Sequence, residues 1–180
     1  MMPTKPLITV FGSGRCKSDA AEYSDTLRLG QLLAGRGFTV VCGGYGGTME
    51  AVSRGAREAG GEVIGVTVEL FRGAPNRFVT QEHRTPDLYR RLKRLIHKSA
   101  GYIALLGGMG TLAEVTLVLN QIGARILPLR PVVLLGDCWP PVLKAWKRHL
   151  AIEPRFLQCV RFATSPDKAV RRLVESVKGL

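Results

Sequence analysis

Ala104-Leu105-Leu106-Gly107-Gly108-Met109-Gly110-Thr111-Leu112-Ala113-Glu114 joins an apolar run to a helix-forming run through three glycines in four residues. A strand that ends in such a turn and passes directly into a helix is the repeating unit of a doubly wound parallel sheet. Glycines let the backbone take positive φ and let a ligand come close. The unpaired N–H groups of the helix's first turn then form an anion site. The same letters have a plainer use. Thr111-x-x-Glu114 is a capping box, with Thr111 as N-cap and Glu114 reaching back to its N–H. Spacing alone leaves the two uses evenly matched, and the density of glycine at the strand end favours ligand binding.

The alternation runs through the chain. Leu7 to Phe11 is a short apolar run ending at Gly12-Ser13-Gly14, read as a first strand and its turn. A helix is expected from about Asp19 to Ala34, with Ser18 as N-cap, Leu27, Leu32 and Leu33 inward, and Gly35 and Gly37 closing it. Thr39 to Cys42 is a second strand, followed by a second glycine-rich turn, Gly43-Gly44-Tyr45-Gly46-Gly47-Thr48, and a helix to about Ala59. Val63 to Val68 is a third strand. Glu69 to Arg84 reads as a long polar connection, and loops of that length in compact domains are commonly functional or mobile.

Thr85-Pro86-Asp87 supplies an N-cap, a proline at the first helical position and a first-turn acid for a helix to about Ser99. Gly101 to Leu105 is a fourth strand, Thr111 to about Ile122 a helix, and Pro131 to Leu135 a fifth strand. A helix from Trp139 to Leu150 enters through Pro140-Pro141, and Val160 to Ala163 is a short last strand. Ser165-Pro166-Asp167 caps a final helix with Val170, Leu173, Val174 and Val177 inward.

Strands alternating with helices, without linker or repeat, give an α/β fold: a doubly wound parallel sheet in one domain, residues 1–180. In the usual strand order the crevice opens where strands one and four part. Gly12–Gly14 and Gly107–Thr111 then face each other across it, which points to a phosphate or nucleotide site. The dinucleotide fingerprint is absent: Gly12-x-Gly14-x-x-Lys17 lacks its third glycine, and strand two ends in Cys42-Gly43-Gly44 with no acid for a ribose hydroxyl. There is no Gly-x-x-x-x-Gly-Lys-Ser/Thr loop either. A mononucleotide or a phosphorylated sugar suits the spacing better.

The net charge of +12 attracts phosphorylated small molecules or nucleic acid, or keeps the protein dissolved. Basic residues are densest from Arg84 to Lys98, without the series of interleaved aromatic side chains that a stacking platform requires, so nucleic acid is not the expected partner. No apolar run is long enough to span a bilayer, and no membrane partner is expected. Met1-Met2-Pro3-Thr4-Lys5-Pro6 leads directly into a strand and is not read as a signal peptide. Cys16, Cys42, Cys138 and Cys159 are scattered, with no Cys-x-x-Cys pair, as in a reduced cytoplasmic protein with no metal site.

In the helix from Asp87 to Ser99, Leu88, Leu92, Leu95 and Ile96 form an apolar stripe. Arg91 sits on its flank, where a guanidinium can fork onto a phosphate or carboxylate or can snorkel or pair with a neighbouring helix. Arg90, Lys93, Arg94 and Lys98 fall mostly outward.

Gly43-Gly44-Tyr45-Gly46-Gly47-Thr48-Met49-Glu50, followed by Gly107-Gly108-Met109-Gly110-Thr111-Leu112-Ala113-Glu114, resembles the Lonely Guy (LOG) family. The similarity extends from Val10 to about Trp139, and the second block matches the family's Pro-Gly-Gly-x-Gly-Thr-x-x-Glu signature. The family includes cytokinin riboside 5′-monophosphate phosphoribohydrolases, Rossmann-like homodimers that cleave a base from its ribose 5′-phosphate. The resemblance implies that Glu114 and Arg91 are the catalytic residues and that Gly107, Gly108, Gly110 and Thr111 bind the phosphate. It also implies that Gly12, Ser13 and the turn of Gly43, Gly44, Gly46 and Gly47 line the same pocket. Leu106, Leu92 and Tyr89 depart from the family's usual proline, lysine and histidine.

The implied chemistry is hydrolysis of the N-glycosidic bond of AMP or an N6-modified AMP, with no cofactor. Bond breaking builds oxocarbenium character on the ribose, which a carboxylate stabilises while it orients water. The alternative is a non-catalytic carrier of a nucleotide or of molybdenum cofactor. A pyridoxal-phosphate enzyme needs a Schiff-base lysine, and no lysine accompanies either central glycine turn, Lys17 being the nearest.

Overall fold

A computed structural model describes residues 5–178, so the reading of Met1–Thr4 lies outside the described residues. The elements are β1 (Leu7–Phe11), α1 (Ala21–Gly35), β2 (Thr39–Cys42), α2 (Thr48–Glu58), β3 (Val63–Val68), β4 (Gln81–Thr85) and α3 (Leu88–His97). They continue with β5 (Gly101–Ala104), α4 (Met109–Gly123), β6 (Val132–Leu135), α5 (Trp139–His149), a 3-10 turn at Pro154–Phe156, β7 (Val160–Ala163) and α6 (Pro166–Lys178). The strands form one seven-stranded sheet in the order β4-β3-β2-β1-β5-β6-β7. Every pairing is parallel. The strands that part at the crevice are β1 and β5, the first and fourth of the sequence reading, so the expected switch point is present.

Two apolar layers cover the sheet, because the strands are buried on both faces and their residues alternate between them. On one face Ile8 and Val10 pack against Leu29 and Leu33 of α1, Val52 and Ala56 of α2, and Val170 and Leu173 of α6. On the other, Phe11 and Tyr102 lie with Leu95 and Ile96 of α3, Val115 and Val118 of α4, and Trp139 and Leu143 of α5. Burying a side chain such as Leu29, Leu33 or Ile96 is worth roughly 1.5–3 kcal/mol, so these stripes rather than local propensity decide the helix faces.

Several local expectations are corrected. The connection after β3 contains an edge strand: Gln81–Thr85 pairs with Ile64–Val68. Its run of Gln, Glu, His and Arg hides the strand because an edge strand has little apolar surface to bury. α1 begins at Ala21 after Ala20, with no side-chain cap, so Ser18 is not its N-cap. Leu29 and Leu33 carry its buried face, while Leu27 and Leu32 are half-buried. For α3 the N-cap is Asp87, whose carboxylate accepts from the Arg90 N–H at 2.8 Å. Thr85 instead closes β4, its hydroxyl donating to the Thr67 carbonyl at 2.7 Å. Leu88 is 42% exposed and leaves the apolar stripe.

Candidate functional site

The first and second glycine turns are tied together by α2. The Thr48 backbone N–H donates to the Ser13 carbonyl at 2.9 Å, and its hydroxyl donates to the same oxygen at 3.2 Å. Gly47 has φ +66° and lies against Ser13 and Gly14, so only a residue without Cβ lets the two turns meet.

The third turn does not form a capping box. The N-cap of α4 is Gly108, and Thr111 lies inside the first turn, which overturns its reading as N-cap. The first internal bond of α4 runs from the Leu112 N–H to the Gly108 carbonyl at 3.0 Å. The N–H groups of Met109, Gly110 and Thr111 precede it and point out of the helix end. A Cβ on Gly110 would meet nothing within 4 Å. Glycine weakens a helix by about 1 kcal/mol relative to alanine, and no packing demand offsets that here.

Glu114, freed from capping, turns into the crevice and is only 8% exposed. Arg91 enters from α3. Its Nε donates to the Val66 carbonyl at 2.8 Å, its Nη2 donates to the Gly43 carbonyl at 3.3 Å, and its Nη1 lies 3.7 Å from Glu114 Oε1. Burial pushes the Glu114 carboxyl up to about 7, against the opposing pull of the Arg91 charge. Loss of water outweighs the ion pair because the pair is loose and the carboxyl is buried. Near neutrality Glu114 therefore exchanges a proton readily, as a general base or acid must.

A cavity of about 350 Å³ opens on these groups, lined by Gly12, Gly14, Gly43, Gly110, Thr111 and Glu114, with Arg91 on its α3 side. The structure thus brings one member or more of all three glycine turns to the same space as Arg91 and Glu114. Ser13, Gly44, Gly46, Gly47, Gly107 and Gly108 are not among the lining residues, and Gly107 and Gly108 are exposed. Ser13 supplies the carbonyl held by Thr48, and Gly107 packs against the Thr111 side chain.

Among the residues that the sequence reading did not single out for the site are Tyr45, Phe71, Arg72 and Asn76. Tyr45 has its hydroxyl fixed by the Val68 N–H at 2.9 Å, and the Arg91 guanidinium lies 5.8 Å from its ring centroid. Phe71 packs on Tyr45 with centroids 5.8 Å apart, and Arg72 follows it at the mouth. Asn76 fastens their segment down: its Nδ2 donates to the Gly44 carbonyl at 3.1 Å and the Tyr45 carbonyl at 2.9 Å. A lone aromatic between two glycine pairs was the available signal for Tyr45. The other three lie in an irregular segment whose fold depends on distant backbone groups.

Residues 5–148 match the family described as the SLOG cluster4 family. An uncharacterized protein of Archaeoglobus fulgidus is 33% identical over 128 residues, 71% of this chain and 82% of its own. A cytokinin riboside 5′-monophosphate phosphoribohydrolase of Rhodococcoides fascians is 31% identical over 186 aligned positions, 98% of this chain and 91% of its own. Among solved structures, the molybdenum cofactor binding protein of Rippkaea orientalis superposes with a TM-score of 0.77 at 29% identity, covering 99% of both chains. The fold is shared with that structure, and the match over residues 5–148 shows that the chain belongs to the SLOG cluster4 family.

Proposed function

We propose that the protein hydrolyses the N-glycosidic bond of a nucleoside 5′-monophosphate, AMP or an N6-modified AMP, to free base and ribose 5-phosphate. The observation that carries this reading is the buried Glu114 carboxyl, poised near neutrality beside Arg91 and opposite the free N–H groups of α4. Similarity to the phosphoribohydrolase of R. fascians supports it.

The phosphate sits on the first turn of α4, where N–H groups and helix dipole both favour an anion. That remote attachment holds C1′ of the ribose over Glu114. The C1′–N bond breaks with its electron pair leaving on the base nitrogen. Ionised Glu114 stabilises the oxocarbenium-like ribose and orients a water whose oxygen joins C1′. The water's proton passes to Glu114 and onward to the departing base. Arg91 keeps positive charge beside the carboxylate and limits how far burial raises its pKa. The reading includes a cytoplasmic homodimer. Exposed Tyr89 and Met109, at 86% and 79%, are apolar surface that a second copy can cover.

A second reading, binding of a phosphorylated pterin such as molybdenum cofactor without turnover, is favoured by the likeness to the R. orientalis protein. It uses the same glycine turns. Incubation with AMP and with N6-isopentenyl-AMP, followed by chromatography, separates the two. Free base with ribose 5-phosphate supports hydrolysis, and tight binding of the pterin with no release from a wide nucleotide panel supports the binder.

A further inference from the structure

α3 and its C-cap carry a second group of cations, Arg94 and Lys98, beginning one turn after Arg91 and facing a different cavity. This space of about 230 Å³ lies between α3 and strands β2 to β4, at the end of the sheet opposite the glycine turns. Its polar lining is Gln81 and His83 of β4, Arg94 and Lys98 from α3 and its C-cap, and Ser99. None of the lining residues is an acid. His83 pairs in register with Val66, which belongs to the apolar layer under α3, so the imidazole is turned toward that helix. The neighbouring Glu82 carboxylate is taken by the Thr67 hydroxyl.

The contacts made by Arg94 are those of a donor without its acceptor. Its Nη2 lies 3.0 Å from Nε2 of His83 and 3.2 Å from Nδ1. A nitrogen so nearly equidistant from both cannot send a proton along either lone pair, so the guanidinium rests against the ring. Among the described residues, neither Arg94 nor Lys98 forms an ion pair. A larger adjoining cavity shares Leu7 and Lys98 and adds Lys5 and Arg130. Both sides of Lys98 are therefore cationic.

We propose that the His83–Arg94–Lys98 cavity binds a small oxyanion of the phosphate class, at a site independent of the crevice. The space is smaller than the roughly 300–1,000 Å³ of pockets that take whole drug-sized ligands, and suits one phosphate group. The Arg94 fork matches two of its oxygens. Lys98 adds a point charge, and His83 donates once protonated. Burial and the charges of Arg94 and Lys98 hold the His83 pKa below its ordinary value. A bound anion offsets the charges of Arg94 and Lys98 and raises it.

The test is an NMR titration of the imidazoles of the full chain in orthophosphate and in chloride at equal ionic strength. Expected is a His83 pKa higher by about one unit in saturating phosphate, with His149 on α5 unmoved. Arg94→Gln and Lys98→Gln, made separately on the exposed side of α3, should each remove at least half of that shift. Glycerol phosphate in place of orthophosphate shows whether the site takes an ester or only the free ion; a His83 shift with either supports the site. Identical His83 titrations in both phosphates and in chloride would overturn it. So would a parallel shift in His149, or a shift that survives in both variants.

Discussion

Arg91 Nη1 stands 3.7 Å from Glu114 Oε1, close enough to feel its charge and beyond hydrogen-bond reach, because the rest of the guanidinium is committed to the Val66 and Gly43 carbonyls. The arginine is thus pinned by backbone, not by the carboxylate. Glu114 gains a neighbouring charge without a directed bond, and burial sets its pKa.

That balance fixes a pH dependence of stability. The folded-state pKa of Glu114 is raised from 4.5 to about 7, so between those values the folded chain binds more proton than the unfolded one. Stability contributed by this group is full below about 4.5 and is lost as pH rises toward 7 and beyond. Glu114→Gln removes the loss. Urea denaturation at pH 8 should show the variant more stable than the parent by up to about 3 kcal/mol, with the difference shrinking at pH 5. A variant less stable at pH 8 would mean that the carboxylate is held more favourably than its burial indicates.

Arg91→Ala takes away the influence that lowers the Glu114 pKa and strands two carbonyls. Glu114 should then titrate above 7 by carboxyl-resolved NMR, and stability should fall by about 1–3 kcal/mol. An unchanged Glu114 titration would show that Arg91 serves packing alone.

Gly110→Ala separates stability from binding. The new methyl meets no atom of the chain and improves helix propensity, so thermal stability should hold or rise by up to about 1 kcal/mol. Mononucleotide affinity by calorimetry should drop at least tenfold, because the methyl occupies the approach to the α4 N–H groups. Unchanged affinity would place the phosphate elsewhere.

Asn76→Ala frees the segment that carries Phe71 and Arg72. Its loss of hydrogen bonds to Gly44 and Tyr45 should cost about 1–2 kcal/mol. Limited proteolysis should cut faster between residues 71 and 79 than in the parent. Equal cutting rates would show that the backbone bond from residue 76 to the Gly44 carbonyl and the contact of Phe71 with Tyr45 hold the segment without the side-chain amide.

Fold and site were unequally legible in the sequence. Six of the seven strands were readable, most of them because doubly buried strands are continuous apolar runs, as in Leu7–Phe11 and Val63–Val68. β4 was hidden because it is an edge strand in which Gln81, Glu82 and Arg84 are exposed and only His83 and Thr85 turn inward. Helix starts were misplaced where a polar residue had two uses. Thr85 and Asp87 compete to cap α3, and Thr111 resembles an N-cap although the glycine before it leaves Met109 to begin the helix. Helical periodicity set Arg91 at the edge of an apolar stripe and the family resemblance marked both Arg91 and Glu114, but the Arg91 fork onto Val66 and Gly43 depends on a crossing of α3 over the sheet that no local pattern encodes.

The most direct measurement is the rate of base release from AMP or N6-isopentenyl-AMP against pH, for the parent and for Glu114→Gln. Because Glu114 acts ionised, kcat/KM should rise with pH through about 7 to a plateau, and Glu114→Gln should lose at least a hundredfold at the plateau while still binding the nucleotide. A rate independent of pH across that range, or Glu114→Gln turning over at the parent's rate, would contradict a catalytic Glu114.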